Sequence, residues 1–153
     1  MRYRGTLIAV TDLERSIRFY REVLGLGVEA DFGASVMLEG GIFLQTLDTW
    51  KKFIGEKRVE FQHNSSELYF EQRDMENYLR HLETQEVSLV HPPMVHSWGQ
   101  KAVRLYDPDG HIIEVAEELE AVVSRHLDGG LTVEETAVRM DVPLTYVENL
   151  IKR

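Results

Sequence analysis

Arg104 and Glu114 stand on either side of Asp107-Pro108-Asp109-Gly110, a stretch that suits a type I turn closed by a left-handed glycine. In that three-residue loop Asp107 faces His111, Tyr106 faces Ile112, and Arg104 faces Glu114. A guanidinium beside a carboxylate forms an ion pair and competes with any divalent cation for the same oxygens. A two-residue turn would shift the register and send Arg104 outward. The six histidines (63, 81, 91, 96, 111 and 126) show no HxH or HxxxH spacing. His91 and His96 flank a proline-containing loop, where His96 is a conceivable base or ligand. Cysteine is absent, which removes disulfides, thiolate chemistry and cysteine-held zinc.

These residues sit in a pattern that occurs twice. Residues 6–10 read as a strand, and Asp12 caps a helix whose apolar face is Leu13, Ile17, Tyr20 and Leu24, ended by Gly25. Strands follow at 26–31, 35–39 and 42–46, the last two joined by Gly40-Gly41; 47–66 has no clear pattern. The order then restarts. Residues 67–72 read as a strand, and Asp74 caps a helix faced by Met75, Tyr78, Leu79 and Leu82. A strand near 86–90, a loop holding Pro92, Pro93 and Gly99, and a hairpin of 101–106 with 111–116 complete it. At an offset of 62, Asp12-Leu13-Glu14 matches Asp74-Met75-Glu76, and Gly5 matches Glu67. At an offset of 69, residues 41–45 match 110–114, so Gln45 matches Glu114.

The architecture expected is α+β: two βαβββ modules, about 1–50 and 65–116, forming a curved, cup-shaped mixed β-sheet over residues 1–116. Residues 117–153 form a C-terminal helical appendage, with Asp128-Gly129-Gly130 as hinge, a capping box from Thr132 to Glu135, and a split at Pro143. Side-chain alternation puts Phe43 on the face of Gln45, Tyr69 and Glu71 on that of Glu67, and Ile112 on that of Glu114. Trp98 folds over the mouth of the cup or into the core.

The run Asp12-Leu13-Glu14-Arg15-Ser16 to Phe19-Tyr20 and Leu24-Gly25, with Asp107-Pro108-Asp109-Gly110-His111-Ile112-Ile113-Glu114, resembles the vicinal-oxygen-chelate superfamily of glyoxalase I, bleomycin- and fosfomycin-resistance proteins and extradiol dioxygenases. The resemblance spans residues 4–116. It implies one divalent metal in the cup, held by a residue at the start of each module's first strand and one near the end of its last. By motif those positions are Gly5, Gln45, Glu67 and Glu114. Gly5 departs from the pattern, having no side chain, so the implied metal ligands are Gln45, Glu67 and Glu114, for Mg, Mn, Zn or Ni. Glu67 and Glu114 are the implied catalytic carboxylates. Phe43, Tyr69, Trp98 and Arg104 are the expected substrate-binding residues. The function this implies is binding of a small oxygenated molecule between the modules by a metal-dependent lyase or isomerase. The alternative is a metal-free module that sequesters a drug or metabolite. An extradiol dioxygenase needs a two-His, one-carboxylate iron site these positions do not supply.

Formal charge is −9, from 17 Lys+Arg against 26 Asp+Glu, which opposes nucleic acid and anionic lipid as partners. The last helices have helix-turn-helix spacing, yet six acids face four bases over 119–153. No nucleic acid, no membrane, a homodimer and a cytoplasmic location are the expectations, since MRYRGTLIAV is too short for a signal sequence and no apolar run could span a bilayer.

Overall fold

The computed structural model describes residues 1–152. In chain order the elements are β1 (Thr6–Val10), α1 (Leu13–Leu24), β2 (Val28–Asp31), β3 (Ser35–Leu38), β4 (Ile42–Thr46), α2 (Leu47–Phe53), β5 (Glu67–Gln72), α3 (Met75–Glu83), β6 (Ser88–Val95), β7 (Lys101–Tyr106), β8 (Ile112–Glu117), α4 (Leu119–Asp128), α5 (Val133–Met140) and α6 (Leu144–Ile151). The strands form two open four-stranded mixed sheets, ordered β1-β4-β3-β2 and β5-β8-β7-β6. In each, the first strand runs parallel to the last of its module, β1 with β4 and β5 with β8. The βαβββ repeat is therefore present as read. The chain divides into two compact units, Met1–Ser66 with Tyr106–His111, and Glu67–Leu105 with residues 112 onward.

In the first unit, Asp12 accepts from the Arg15 amide at 2.9 Å and opens α1; Gly25, at φ 72°, closes it. Its buried face is Ser16, Tyr20 and Val23, with Leu13, Ile17 and Leu24 only half-buried beside it. The stripe is thus rotated from the one apolar spacing suggests. Tyr20 is common to both stripes, and its hydroxyl donates to Asp107 at 3.1 Å. Asp107 also accepts from the amides of Asp109 and His111 and meets the His111 ring at 2.8 Å. The adjacent Asp109 accepts from the Thr11 amide and hydroxyl and from Arg15. The Asp-Pro-Asp-Gly turn is thus held by its own carboxylates.

Burial alone would raise the Asp107 carboxyl, but the His111 ring and the two amides outweigh it and hold it below the usual range. A depressed carboxyl contributes stability above its unfolded pKa of about 4 and loses it as pH falls through the folded value. Asp107→Ala strands four donors, one of them the buried Tyr20 hydroxyl. It should cost roughly 3 kcal/mol in urea unfolding at pH 7 and progressively less as the pH falls through the folded value.

Two elements differ from the sequence reading. Residues 47–53 form α2, a helix with no buried residue, so it leaves no apolar stripe to detect. β6 continues to Val95 through Pro92 and Pro93, where a loop is expected. It lies at the edge of its sheet, and an edge position tolerates missing N–H groups that a central ladder would not. In the C-terminal region the capping box holds: Thr132 accepts from the Glu135 amide and Glu135 from the Thr132 amide. Val122, Val123, Ala137, Met140, Val147 and Leu150 form the buried core of α4–α6.

Candidate functional site

The Asp107 amide bonds to the His111 carbonyl at 2.9 Å and the Gly110 amide to the Asp107 carbonyl at 3.0 Å. The three-residue loop is therefore the one formed, and it aims Arg104 of β7 at Glu114 of β8. Arg104 bonds Glu114 through Nη2, and Glu67 of β5 at 2.8 Å through Nε and at 3.4 Å through Nη2. One guanidinium thus spans both carboxylates. Glu114 is only 5% exposed, whereas the side chains of Arg104 and Glu67 keep 24% and 35%.

The two acids titrate in opposite directions. The Arg104 hydrogen bond holds Glu67 below its usual value despite some burial. Burial lifts Glu114, and a hydrogen bond to Glu67 adds to the rise; the charge of Arg104 works against this but is outweighed. Glu114 so keeps its proton longer than Glu67 does, the arrangement expected when two carboxyls share one cation. Arg104 in turn is raised above its normal value, chiefly through its bond to Glu67.

The same face carries more polar groups. Tyr69 pairs in register with Glu114 across the parallel β5–β8 ladder; its hydroxyl donates to Glu71 at 3.0 Å and accepts from the Gln100 amide at 3.2 Å. Burial pushes that hydroxyl up to about 12. His96 Nε2 lies 3.9 Å from Glu114 Oε1, and burial followed by the Arg104 charge keeps the ring below its usual pKa, so it is neutral at pH 7. His96 stacks on Trp98 at 4.2 Å between ring centroids, with planes 5° apart.

Of the residues singled out from sequence, Glu67, Tyr69, Arg104 and Glu114 thus share one face of the second sheet, with His96 beside them. Trp98 takes the core-side option. It packs against the helical core, and its Nε1 donates to Gln100 Oε1 at 2.9 Å. Gln100, buried and unflagged by the sequence, joins Trp98, Tyr69 and the Glu117 carbonyl. Only its place one residue before a strand marked it, and that says nothing of burial.

The remaining positions lie in the first unit. Phe43 is half-buried on β4, opposite Leu7 and Met37. Gln45 is buried, and its Nε2 donates to the Ala34 carbonyl at 2.9 Å. Gly5 has φ 153°, and a Cβ built there would fall 2.0 Å from the Gly41 carbonyl oxygen. The missing donor is therefore explained: backbone packs where a side chain would start. Among the described residues no group of three or more His, Cys, Asp or Glu is arranged to hold a metal ion. Nor is any helix among them long and apolar enough to cross a membrane.

A module of strand, helix and three further strands, its first strand parallel to its last, occurs twice and defines a vicinal-oxygen-chelate protein. The chain belongs to the glyoxalase-like domain family, which it matches over residues 3–120. It is similar to a crystal structure of a protein of unknown function from Agrobacterium tumefaciens, at 35% identity and a TM-score of 0.70, over 77% of this chain and 94% of that one. A glyoxalase-related enzyme from Fulvimarina pelagi shares the fold at 24% identity and a TM-score of 0.65, over 77% and 88%. A glyoxalase/bleomycin resistance protein/dioxygenase from Nocardioides does so at 17% and 0.63, over 76% and 83%. No curated protein matches the chain.

Proposed function

We propose that this chain is a metal-independent binding protein, which holds a small oxygenated organic molecule on the second sheet at Glu67, Arg104 and Glu114. One observation carries the reading: the guanidinium of Arg104 bonds both carboxylates that the superfamily pattern would give to a cation. A divalent ion needs those oxygens deprotonated and free. Here one is bonded to Arg104 from two nitrogens, and the other is buried beside the same group with its pKa raised. Gln45 has its amide committed to Ala34, and Gly5 offers nothing. The donor set does not fit a metal, so the lyase or isomerase reading loses the Lewis acid it depends on.

What the cluster offers instead is a set of hydrogen-bonding groups of both kinds, acceptors and donors. Glu67 and Glu114 accept, Arg104 donates, and the Tyr69 hydroxyl does either. Hydroxyls and carbonyls on a small ligand match that set, and the exposed Tyr69 ring supplies an apolar contact.

Thermal shift in excess chelator tests this. Oxygenated organic compounds should raise the melting temperature of the wild type, by about 2.7 kcal/mol of stabilisation at a hundredfold excess over Kd. Glu114→Gln should weaken that response. Stabilisation by Mg, Mn, Zn or Ni ions, erased by chelator and with no response to any organic compound, would replace this reading with the metal-dependent one.

A further inference from the structure

The family match ends at residue 120, so almost all of α4–α6 lies beyond the shared domain. Those helices nevertheless grip the site. The loop from His96 to Gln100 is tied to itself by the His96 amide on the Gln100 carbonyl and the Gly99 amide on the His96 carbonyl, both at 2.9 Å. Three contacts then come from α4. Arg125 donates to the Gly99 carbonyl at 2.6 Å while bonding both oxygens of Glu117 at the end of β8. His126 meets the Trp98 carbonyl at 3.1 Å. The Trp98 ring packs on the core formed by α4, α5 and α6. The approach is close: a Cβ on Gly99 would come within 2.8 Å of the His126 ring, and Gly99 has φ 94°, open chiefly to glycine.

We infer that the C-terminal helices are a positioning device for the site. Arg125 and His126 fix the loop, the loop fixes Trp98, and Trp98 holds the His96 ring by stacking, 3.9 Å from Glu114. A His side chain just past the end of an edge strand would otherwise sample several rotamers; stacking on a tryptophan anchored in a core leaves one. Arg125 and His126 touch none of the site's polar groups. They are positioning residues, acting through Trp98. The inference rests on the site reading above only in giving His96 something to do there.

The test is the NMR signature of His96 in the full chain, with histidine labelled at the ring and His96→Gln used to assign its signals. Stacking on Trp98 displaces the ring protons upfield. Arg125→Ala and His126→Ala should each reduce that displacement, and the double variant should abolish it. Arg125→Lys, which keeps a cation near Glu117 and the Gly99 carbonyl, should retain most of it. Arg139→Ala, on the exposed side of α5, should change nothing. If the double variant does not fold, Gly99→Ala, which pushes against His126 from the loop side, gives the same readout. A His96 signal unmoved in the alanine variants, or lost equally in Arg125→Lys, overturns the inference. The measurement needs no ligand, so an empty compound screen and an unmoved His96 are separate failures.

Discussion

Replacing Arg104 by methionine is expected to cost about 2 kcal/mol in urea unfolding at pH 7. Full burial of such a pair would make the loss about 3–5 kcal/mol; the partial exposure of Arg104 and Glu67 reduces it by solvent screening. The pH dependence carries more information than the size. Glu67 has a folded pKa below its unfolded one, so its contribution holds above the unfolded value and disappears as pH falls through the folded one. Glu114 has a raised folded pKa, so its contribution is complete below the unfolded value and is lost as pH climbs through the folded one. Without Arg104 the chief cause of the Glu67 shift is gone and Glu114 rises further. The variant should therefore approach wild-type stability as the pH falls and Glu114 takes its proton. It should also lose the acid sensitivity that Glu67 gives the wild type. With two carboxylates freed, Mn or Mg ions should stabilise the variant and leave the wild type unmoved. A constant stability difference from pH 7 to pH 4, with no response to either ion, would mean that Arg104 does not hold the pair.

A second large effect is expected at Gly5. Any side chain there begins 2.0 Å from the Gly41 carbonyl oxygen, a backbone atom that moves only if the loop moves. Thr6 and Gly41 also share a backbone hydrogen bond at 3.0 Å, which that movement would stretch. Gly5→Ala should cost about 2–4 kcal/mol by strain and repacking. Gly25→Ala is the control: its φ of 72° is strained, but nothing lies within 4 Å of the added Cβ, so about 1 kcal/mol is expected. Gly5→His, which would restore the superfamily's usual residue, should lose as much as Gly5→Ala and gain no metal-dependent stabilisation. Equal losses at positions 5 and 25 would show that the loop yields, and that the donor is missing for another reason.

Local signals made most of the fold legible. Asp12 and Asp74 cap the helices that follow them, and the Asp-Pro-Asp-Gly turn sets the register that delivers Arg104 to Glu114. Where the reading went astray, the cause is tertiary. The prolines of β6 look like a loop until an edge position makes their missing N–H groups harmless. Helix α2 buries nothing and so has no stripe. The site was half legible for the same reason. Glu67 and Arg104 are placed by repeat and register, which are local arithmetic. Trp98 is held by His126, 28 residues further along, and Gln100 by Tyr69 and the Glu117 carbonyl, between which no spacing rule operates; His96 is held through Trp98.

Pro92 and Pro93 have a consequence for how the molecule behaves in a crowded solution. A free sheet margin eight residues long, with Leu89, Met94 and Val95 exposed along it, is a template on which another extended chain can grow. Backbone N–H groups point to alternate sides along a strand, so one of the two adjacent imide nitrogens falls on this margin and interrupts its row of donors near the middle; an incoming strand meets a gap and loses the continuous ladder that fibril growth requires. The residues that hide this strand from a reader of the sequence are the ones that guard it against aggregation.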